Sequence, residues 1–175
     1  MNESLSFKEL TKNLNEESIK LTNLILNDRQ LCDLELLLNK AFDPLSSFLN
    51  KKDYESVLDK MRLSNGKLWP IPIMLDVYKD FIDTSKIKQG SVLSLRDKEG
   101  FIVAIFKVSD LWKVDKQKEA QKIYNTTDEK HPGVYNLMHN TGDYYLSGKI
   151  KNSQLPHHYD FQLLRHTPQE LKNQF

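Results

Sequence analysis

The hydrophobic period changes at the Ser64-Asn-Gly66 turn, and that change restricts the folds open to the chain. Before the turn, apolar residues recur at helical spacing. Leu31, Leu34, Leu37 and Leu38 share the core face of a helix predicted from an N-cap at Asn27 or Asp28 to about Leu38. Tyr54, Val57, Leu58 and Met61 repeat the pattern from Lys51 to Met61, behind the start signals Asn50 and Asp53. After the turn the period is two. Ile71, Ile73, Leu75 and Val77 alternate with Pro72, Met74 and Asp76, a strand pattern with proline at an edge position. Ser91 to Arg96 and Phe101 to Val108 read as further strands joined by Asp97-Lys-Glu-Gly100, a loop that suits a hairpin. Helices and antiparallel hairpins mixed in this order predict an α+β fold with a small barrel-like sheet.

The flanking segments are less periodic. Polar residues 1–16 read as a mobile arm, or at most a loose helix packing on a neighbour, and Ser18 to Leu21 as a short strand. Asp115 is placed to cap a helix from Lys116 to about Tyr124. Its apolar stripe, Ala120, Ile123 and Tyr124, is narrow, so Lys116, Lys118 and Lys122 are expected to be solvated. A His131-Pro-Gly turn, a short helical piece from Tyr135 to His139 and a strand from Tyr144 to Ile150 follow. Thr167-Pro-Gln-Glu170 is a capping box with proline at the first helical position. Only eight residues remain to form that helix, fewer than the roughly 12 to 15 at which an isolated helix becomes marginal in water. It must dock, and Leu171 with Phe175 is the face that would do so.

Composition removes several classes of function. Lys plus Arg at 25 against Asp plus Glu at 24 leave a formal charge of +1, with no single-signed field to recruit a polyanion. Nucleic acid is therefore not an expected partner. No run approaches the roughly 20 apolar residues of a membrane helix, and no segment resembles a signal peptide. The single Cys32 cannot form an internal disulfide. A soluble, cytoplasmic protein is expected.

Five stretches occur in an order that carries more information than any one of them: Arg29-Gln-Leu-Cys-Asp-Leu-Glu-Leu-Leu-Leu-Asn-Lys-Ala-Phe-Asp-Pro-Leu45, Met61-Arg-Leu-Ser-Asn-Gly-Lys-Leu-Trp-Pro-Ile-Pro-Ile73, Leu95-Arg-Asp-Lys-Glu-Gly100, Thr127-Asp-Glu-Lys-His-Pro-Gly-Val134, and His158-Tyr-Asp-Phe161 with Leu164-Arg-His-Thr-Pro-Gln-Glu-Leu171. In this order, from about Leu21 onward, they resemble the N-terminal part of ATP sulfurylases (sulfate adenylyltransferases). The resemblance implies a small PUA-like β-barrel with flanking helices: a polar arm over 1–17, the PUA-like domain over 18–152, and over 153–175 a linker and first helix leading into a catalytic domain. The parent would make adenylyl sulfate and pyrophosphate from Mg-ATP and sulfate, and the bacterial bifunctional sulfurylase/adenylylsulfate kinase is one form of it. Lys40-Ala-Phe-Asp-Pro-Leu45 departs from the family's Gly-Gly- or Gly-Ala-Phe-Ser-Pro-Leu, and Leu146-Ser-Gly-Lys149 from its usual double glycine. The family's catalytic signatures, Gln-x-Arg-Asn-Pro, His-x-x-His and Gly-Arg-Asp-His, are absent from the sequence. The chain's own role would be to support that catalytic domain, in cis or as another chain, and to lend surface to a homo-oligomer. The alternative is a free-standing PUA-like binding module, with Trp69 and Trp112 as stacking platforms for single-stranded RNA; near-zero charge argues against it.

Residue by residue, no catalytic, cofactor-binding or metal-binding role is assigned. His157, His158, Asp160 and His166 form the densest group of ligand types. Adjacent histidines in extended chain point apart, however, and linker hydrogen bonding explains them better. His131, held extended by Pro132, reads as a turn residue. Cys32, between leucines and with no His or Lys at i±3 or i±4, reads as a small core residue. The carboxylate pairs Asp33/Glu35 and Asp128/Glu129 do not converge, which suits solvated or capping roles. The six glycines form no phosphate cradle at a helix start.

Overall fold

The computed structural model describes residues 14–156 and 158–175, which divide into two compact units. The first comprises residues up to Ser47, Val92–Lys107 and the chain from Lys149 on; the second comprises Phe48–Ser91 and Val108–Gly148.

In the first unit, the expected arm lies outside the described residues up to residue 13, and its remainder is helical. Residues 14–18 belong to a helix, α1, and Leu14 packs with Ile102 and Ile105. The strand expected at residues 18–21 is instead the end of this helix and its exit turn. Ser18 Oγ donates to the Asn15 carbonyl at 2.8 Å and Leu21 N–H to the Ser18 carbonyl at 3.0 Å, and such local bonds displace a ladder. The strand β1 is Thr22–Ile25. It lies parallel to β3 (Val92–Arg96), Thr22 opposite Leu93. β3 in turn is antiparallel to β4 (Ile102–Lys113), with Gly100 at φ 89° completing the hairpin turn where a side chain would be strained. Arg96 ties these pieces together: Nε donates to Asn23 Oδ1 and Ser94 Oγ, Nη1 to the Gly100 carbonyl, and Nη2 to Ser18 Oγ, at 2.7 to 3.1 Å. Helix α2 (Asp28–Leu38) starts in a capping box between Asn27 and Gln30, and it buries Gln30, Leu34 and Leu37.

In the second unit, α3 (Lys51–Lys60) is capped by Asn50 and buries Tyr54, Val57 and Leu58. Met61, expected in the core, is the left-handed residue that ends the helix and is 59% exposed. The strand expected from Ile71 is reduced to β2 (Leu75–Val77), antiparallel to β5 (Tyr144–Ser153). Pro70 and Pro72 have no N–H to offer a ladder. All three residues of β2 are buried, so the alternation expected through Asp76 is also absent. Helix α4 (Lys79–Ser85), with no side-chain cap and no buried residue, carries no signal that sequence reasoning used. Helices α5 (Lys116–Tyr124) and α6 (Pro132–His139) pack through Ala120, Val134 and Leu137. A Cβ on Gly142 would come within 2.2 Å of the Val77 carbonyl, so the backbone there needs glycine. The strands run in the order β1-β3-β4 in the first unit and β4-β5-β2 in the second. The class is α+β, as expected.

Candidate functional site

Among the described residues, two places stand out, one inside the second unit and one on the surface of the first. Inside the second unit, Glu119 is 5% exposed on α5. Its Oε2 accepts from Tyr54 Oη and from Tyr145 Oη, both at 2.8 Å. Trp112 completes the enclosure, its ring 5.9 Å from that of Tyr54 and 6.1 Å from that of Tyr145. Burial first, and the Glu119 carboxylate second, push both tyrosine hydroxyls far above the ordinary range, so they remain neutral donors. A buried carboxylate with two hydroxyl donors is a satisfied structural group; it is enclosed rather than presented to a substrate. Sequence reasoning missed it because its partners lie 65 and 26 residues away.

Nearby, Lys116 is not solvated as expected. Its side chain is 14% exposed, and Nζ donates to the Thr141 carbonyl at 2.8 Å and pairs with Asp143 at 3.2 Å. The shallow groove lined by Lys113, Val114, Asp115, Lys116, Gln117 and Asp143 thus has one of its two amines, that of Lys116, already engaged. Lys122 pairs with Asp59 at 2.8 Å, while Lys118 is exposed.

The expected candidates are dispersed. His158 Nε2 donates to Glu35 Oε1 at 2.8 Å, Asp160 pairs with Arg165 at 2.8 Å, His166 is exposed, and His157 lies outside the described residues. Among the described residues no three His, Cys, Asp or Glu side chains converge as metal ligands. His131 is the N-cap of α6, its Nδ1 accepting from Gly133 N–H at 3.2 Å. Asp33 pairs with Arg29 and Glu129 with His139, and Asp128 accepts from Lys130 N–H. Cys32 is exposed, contrary to the core placement. Two residues before buried Leu34 it is turned about 200° around the helix, away from the Leu34 and Leu37 stripe.

The surface feature is the C-terminal segment. None of the described residues from Gln154 to Phe175 is buried. Tyr159, Phe161, Leu163 and Leu164 are 80%, 72%, 92% and 75% exposed, and Leu171 of the capped helix α7 (Pro168–Gln174) and Phe175 at its C-cap are exposed too. So dense a set of exposed large apolar side chains marks a contact surface rather than a catalytic one. Among the described residues no helix is long and apolar enough to cross a membrane.

A family described as "PUA-like domain" matches residues 2–155. The sulfate adenylyltransferase of Phaeosphaeria nodorum is 45% identical over 160 residues, 91% of this chain and 28% of that protein. That of Mycosarcoma maydis is 40% identical over 163 residues, 93% of this chain and again 28% of its own length. Among solved structures, one titled "Hexameric APS kinase from Thiobacillus denitrificans" aligns with a TM-score of 0.71 at 30% identity, covering 95% of this chain and 28% of that one. The chain thus spans little more than a quarter of the length of these relatives.

Proposed function

This chain belongs to the PUA-like domain family, and from that premise we propose that it serves as the non-catalytic N-terminal domain of a sulfate adenylyltransferase. The observation that carries the proposal is a match of 40% to 45% identity along nearly the whole chain to enzymes of that name, confined to 28% of their length. The parent reaction converts ATP and sulfate to adenylyl sulfate and pyrophosphate with magnesium, on residues outside this chain. Neither concentration of chemistry here is built for that reaction. Glu119 is sealed by two tyrosines, and the C-terminal segment offers apolar surface rather than the charge-stabilising donors that phosphoryl chemistry requires.

Within the proposal, residues 18–152 form the PUA-like body and 153–175 the linker and first helix toward the catalytic part. The setting is cytoplasmic, and the assembly is a homo-oligomer to which this domain lends surface; a kinase fused to the parent, as in the bacterial bifunctional type, is compatible with it. Nucleic acid has no part in the reading. Two observations support leaving it out: the net charge is +1, and Trp112 is buried and Trp69 half-buried. The test replaces the matching stretch of the Phaeosphaeria nodorum enzyme by this chain and assays pyrophosphate release from ATP with sulfate. The chimera is expected to turn over and the chain alone to give the blank rate. Turnover by the chain alone, or a folded chimera without activity, defeats the proposal.

A further inference from the structure

The stretch Thr127-Asp-Glu-Lys-His-Pro-Gly-Val134 is built around one histidine, and the scaffold reading leaves it unused. Pro132 stands at the first position of α6 and has no N–H, so Gly133 N–H is the first in the helix that needs an acceptor. His131 Nδ1 accepts it at 3.2 Å. Only an unprotonated nitrogen can do so, which puts the ring's one proton on Nε2. The same residues meet the end of α5. The His131 and Tyr124 rings lie 4.9 Å apart, and a Cβ on Gly133 would stand 2.6 Å from the Tyr124 ring, so that ring packs directly on the capped glycine. The titratable and charged neighbours of His131 are Tyr124 from α5, Asp128, Glu129 and Lys130 on the loop between the helices, and Tyr135 and His139 along α6. Asp128 Oδ1 accepts from Lys130 N–H at 2.9 Å, and Glu129 pairs with His139 at 2.8 Å. Neither carboxylate is hydrogen-bonded to the His131 ring, and Tyr135 stacks on His139 at 4.5 Å.

We infer that His131 is a proton-sensitive latch between α5 and α6: its unprotonated ring closes the first turn of α6 against Tyr124, and a proton on Nδ1 opens it. The added proton turns the acceptor into a donor and leaves Gly133 N–H unmet. It also places a cation at a helix N-terminus, where the aligned peptide dipoles already carry positive charge, with Lys130 next to it in the chain. His139 at the other end of the helix responds oppositely. A cation there faces Glu129 and the negative end of the same dipole, so acid strengthens the last turn as it loosens the first. Histidines change charge between about pH 5 and 8. The latch is therefore closed above that window and lost as pH falls through it. Opening is confined to the first turn, because Val134 and Leu137 stay packed on Ala120. The inference stands on α5, α6 and the loop between them, and does not rest on the scaffold reading.

The experiment follows the chain by NMR from pH 8 to 5. The Gly133 amide proton is expected to lose its hydrogen-bonded shift, and the Gly133 α-protons the ring-current shift that Tyr124 imposes, with the same midpoint as the ring protons of His131. His131→Asn supplies a cap that does not titrate, so in that variant the Gly133 signals should hold their pH 8 positions down to pH 5. His139→Gln should leave the Gly133 titration in place. At pH 5 the first turn of the unsubstituted chain should open about fivefold more often than that of His131→Asn, as the loss of a cap implies. Amide protection of Tyr135, whose N–H donates to the His131 carbonyl, reads that difference. Gly133 signals that stay still in the unsubstituted chain, that move with a midpoint other than that of His131, that move equally in His131→Asn, or that cease to move in His139→Gln overturn the inference. If His131→Asn does not fold, the shared midpoint in the unsubstituted chain decides alone.

Discussion

The Glu119 centre and the C-terminal segment are opposite solutions to the placement of polar and apolar groups. Around Glu119 a carboxylate and two hydroxyls are buried with their partners met across 65 and 26 residues of sequence. Beyond His158, the C-terminal segment satisfies its polar groups with neighbours three to five residues away, and its large apolar side chains are exposed. The difference separates two sources of order. Buried polar groups fix the structure because any other arrangement leaves a donor unpaired in a low dielectric. Local caps and turns fix only a short backbone path. A segment held by caps alone opens readily, which suits a surface that must adjust to what it meets.

Removing the acceptor at the centre is the sharpest way to break this contrast. Glu119→Ala strands two buried tyrosine hydroxyls, each costing about 1 to 3 kcal/mol when unpaired, so a loss of about 2 to 6 kcal/mol is expected. A denaturant midpoint shifted no more than by Leu163→Ser, which is expected to stay within about 0.5 kcal/mol, would erase the distinction between the regions. Next in size is Gly142→Ala. Its Cβ would meet the Val77 backbone at 2.2 Å, and because backbone yields less than a side-chain tip, a cost of about 1 to 3 kcal/mol is expected from the same unfolding curves.

Alkaline titration sharpens the comparison without mutation. Both centre tyrosines have folded pKa values raised above the unfolded value of 10.0, by burial first and by Glu119 second. Their contribution is therefore fully present below pH 10 and is lost as pH rises beyond it, when the unfolded chain releases protons that the folded chain keeps. The slope is about 1.4 kcal/mol per tyrosine per pH unit. Stability measured from pH 9 to 11 should fall, and Tyr54→Phe should flatten the fall. An unchanged slope in that variant would mean that Tyr54 is not held neutral by the centre.

Legibility in the sequence follows the same division. Asn27, Asn50, Asp115 and Thr167 were readable as caps because a cap bonds two or three residues on, and all four cap the helices observed. The hairpin from Val92 was readable for the same reason, its turn closing on Gly100. Glu119 was not: on α5 it looks like one more charge on a charged rod, and only Tyr54, Trp112 and Tyr145, brought in by the fold, make it central. Lys116 was misread likewise, since the Thr141 and Asp143 oxygens that hold it lie beyond any helical spacing. Cys32 was misread through composition, its leucine neighbours outweighing the helical angle that turns it outward. In the C-terminal segment the capping box was visible, whereas the His158–Glu35 pin, 123 residues apart, was not.

The smallest expected effect tests whether the C-terminal helix is held by its cap alone. Glu170 accepts from the Thr167 backbone N–H and hydroxyl, which lowers its pKa below the ordinary value of 4.5. A depressed carboxylate pKa stabilises the folded form above the unfolded value, and that support is lost as pH falls through the folded one. Acidification below pH 4.5 should therefore loosen residues 168–174 while the rest of the chain keeps its tertiary signal. Amide resonances of Leu171 to Gln174, followed from pH 6 to 3, should move toward coil values before those of the Val92–Arg96 strand change. Thr167→Ala should reproduce the loosening at pH 6, because it removes the hydroxyl that caps the Glu170 N–H. If both regions respond together, α7 is stabilised by packing on the body of the chain rather than by its cap, and the contrast between a centre fixed from afar and a segment fixed locally no longer holds.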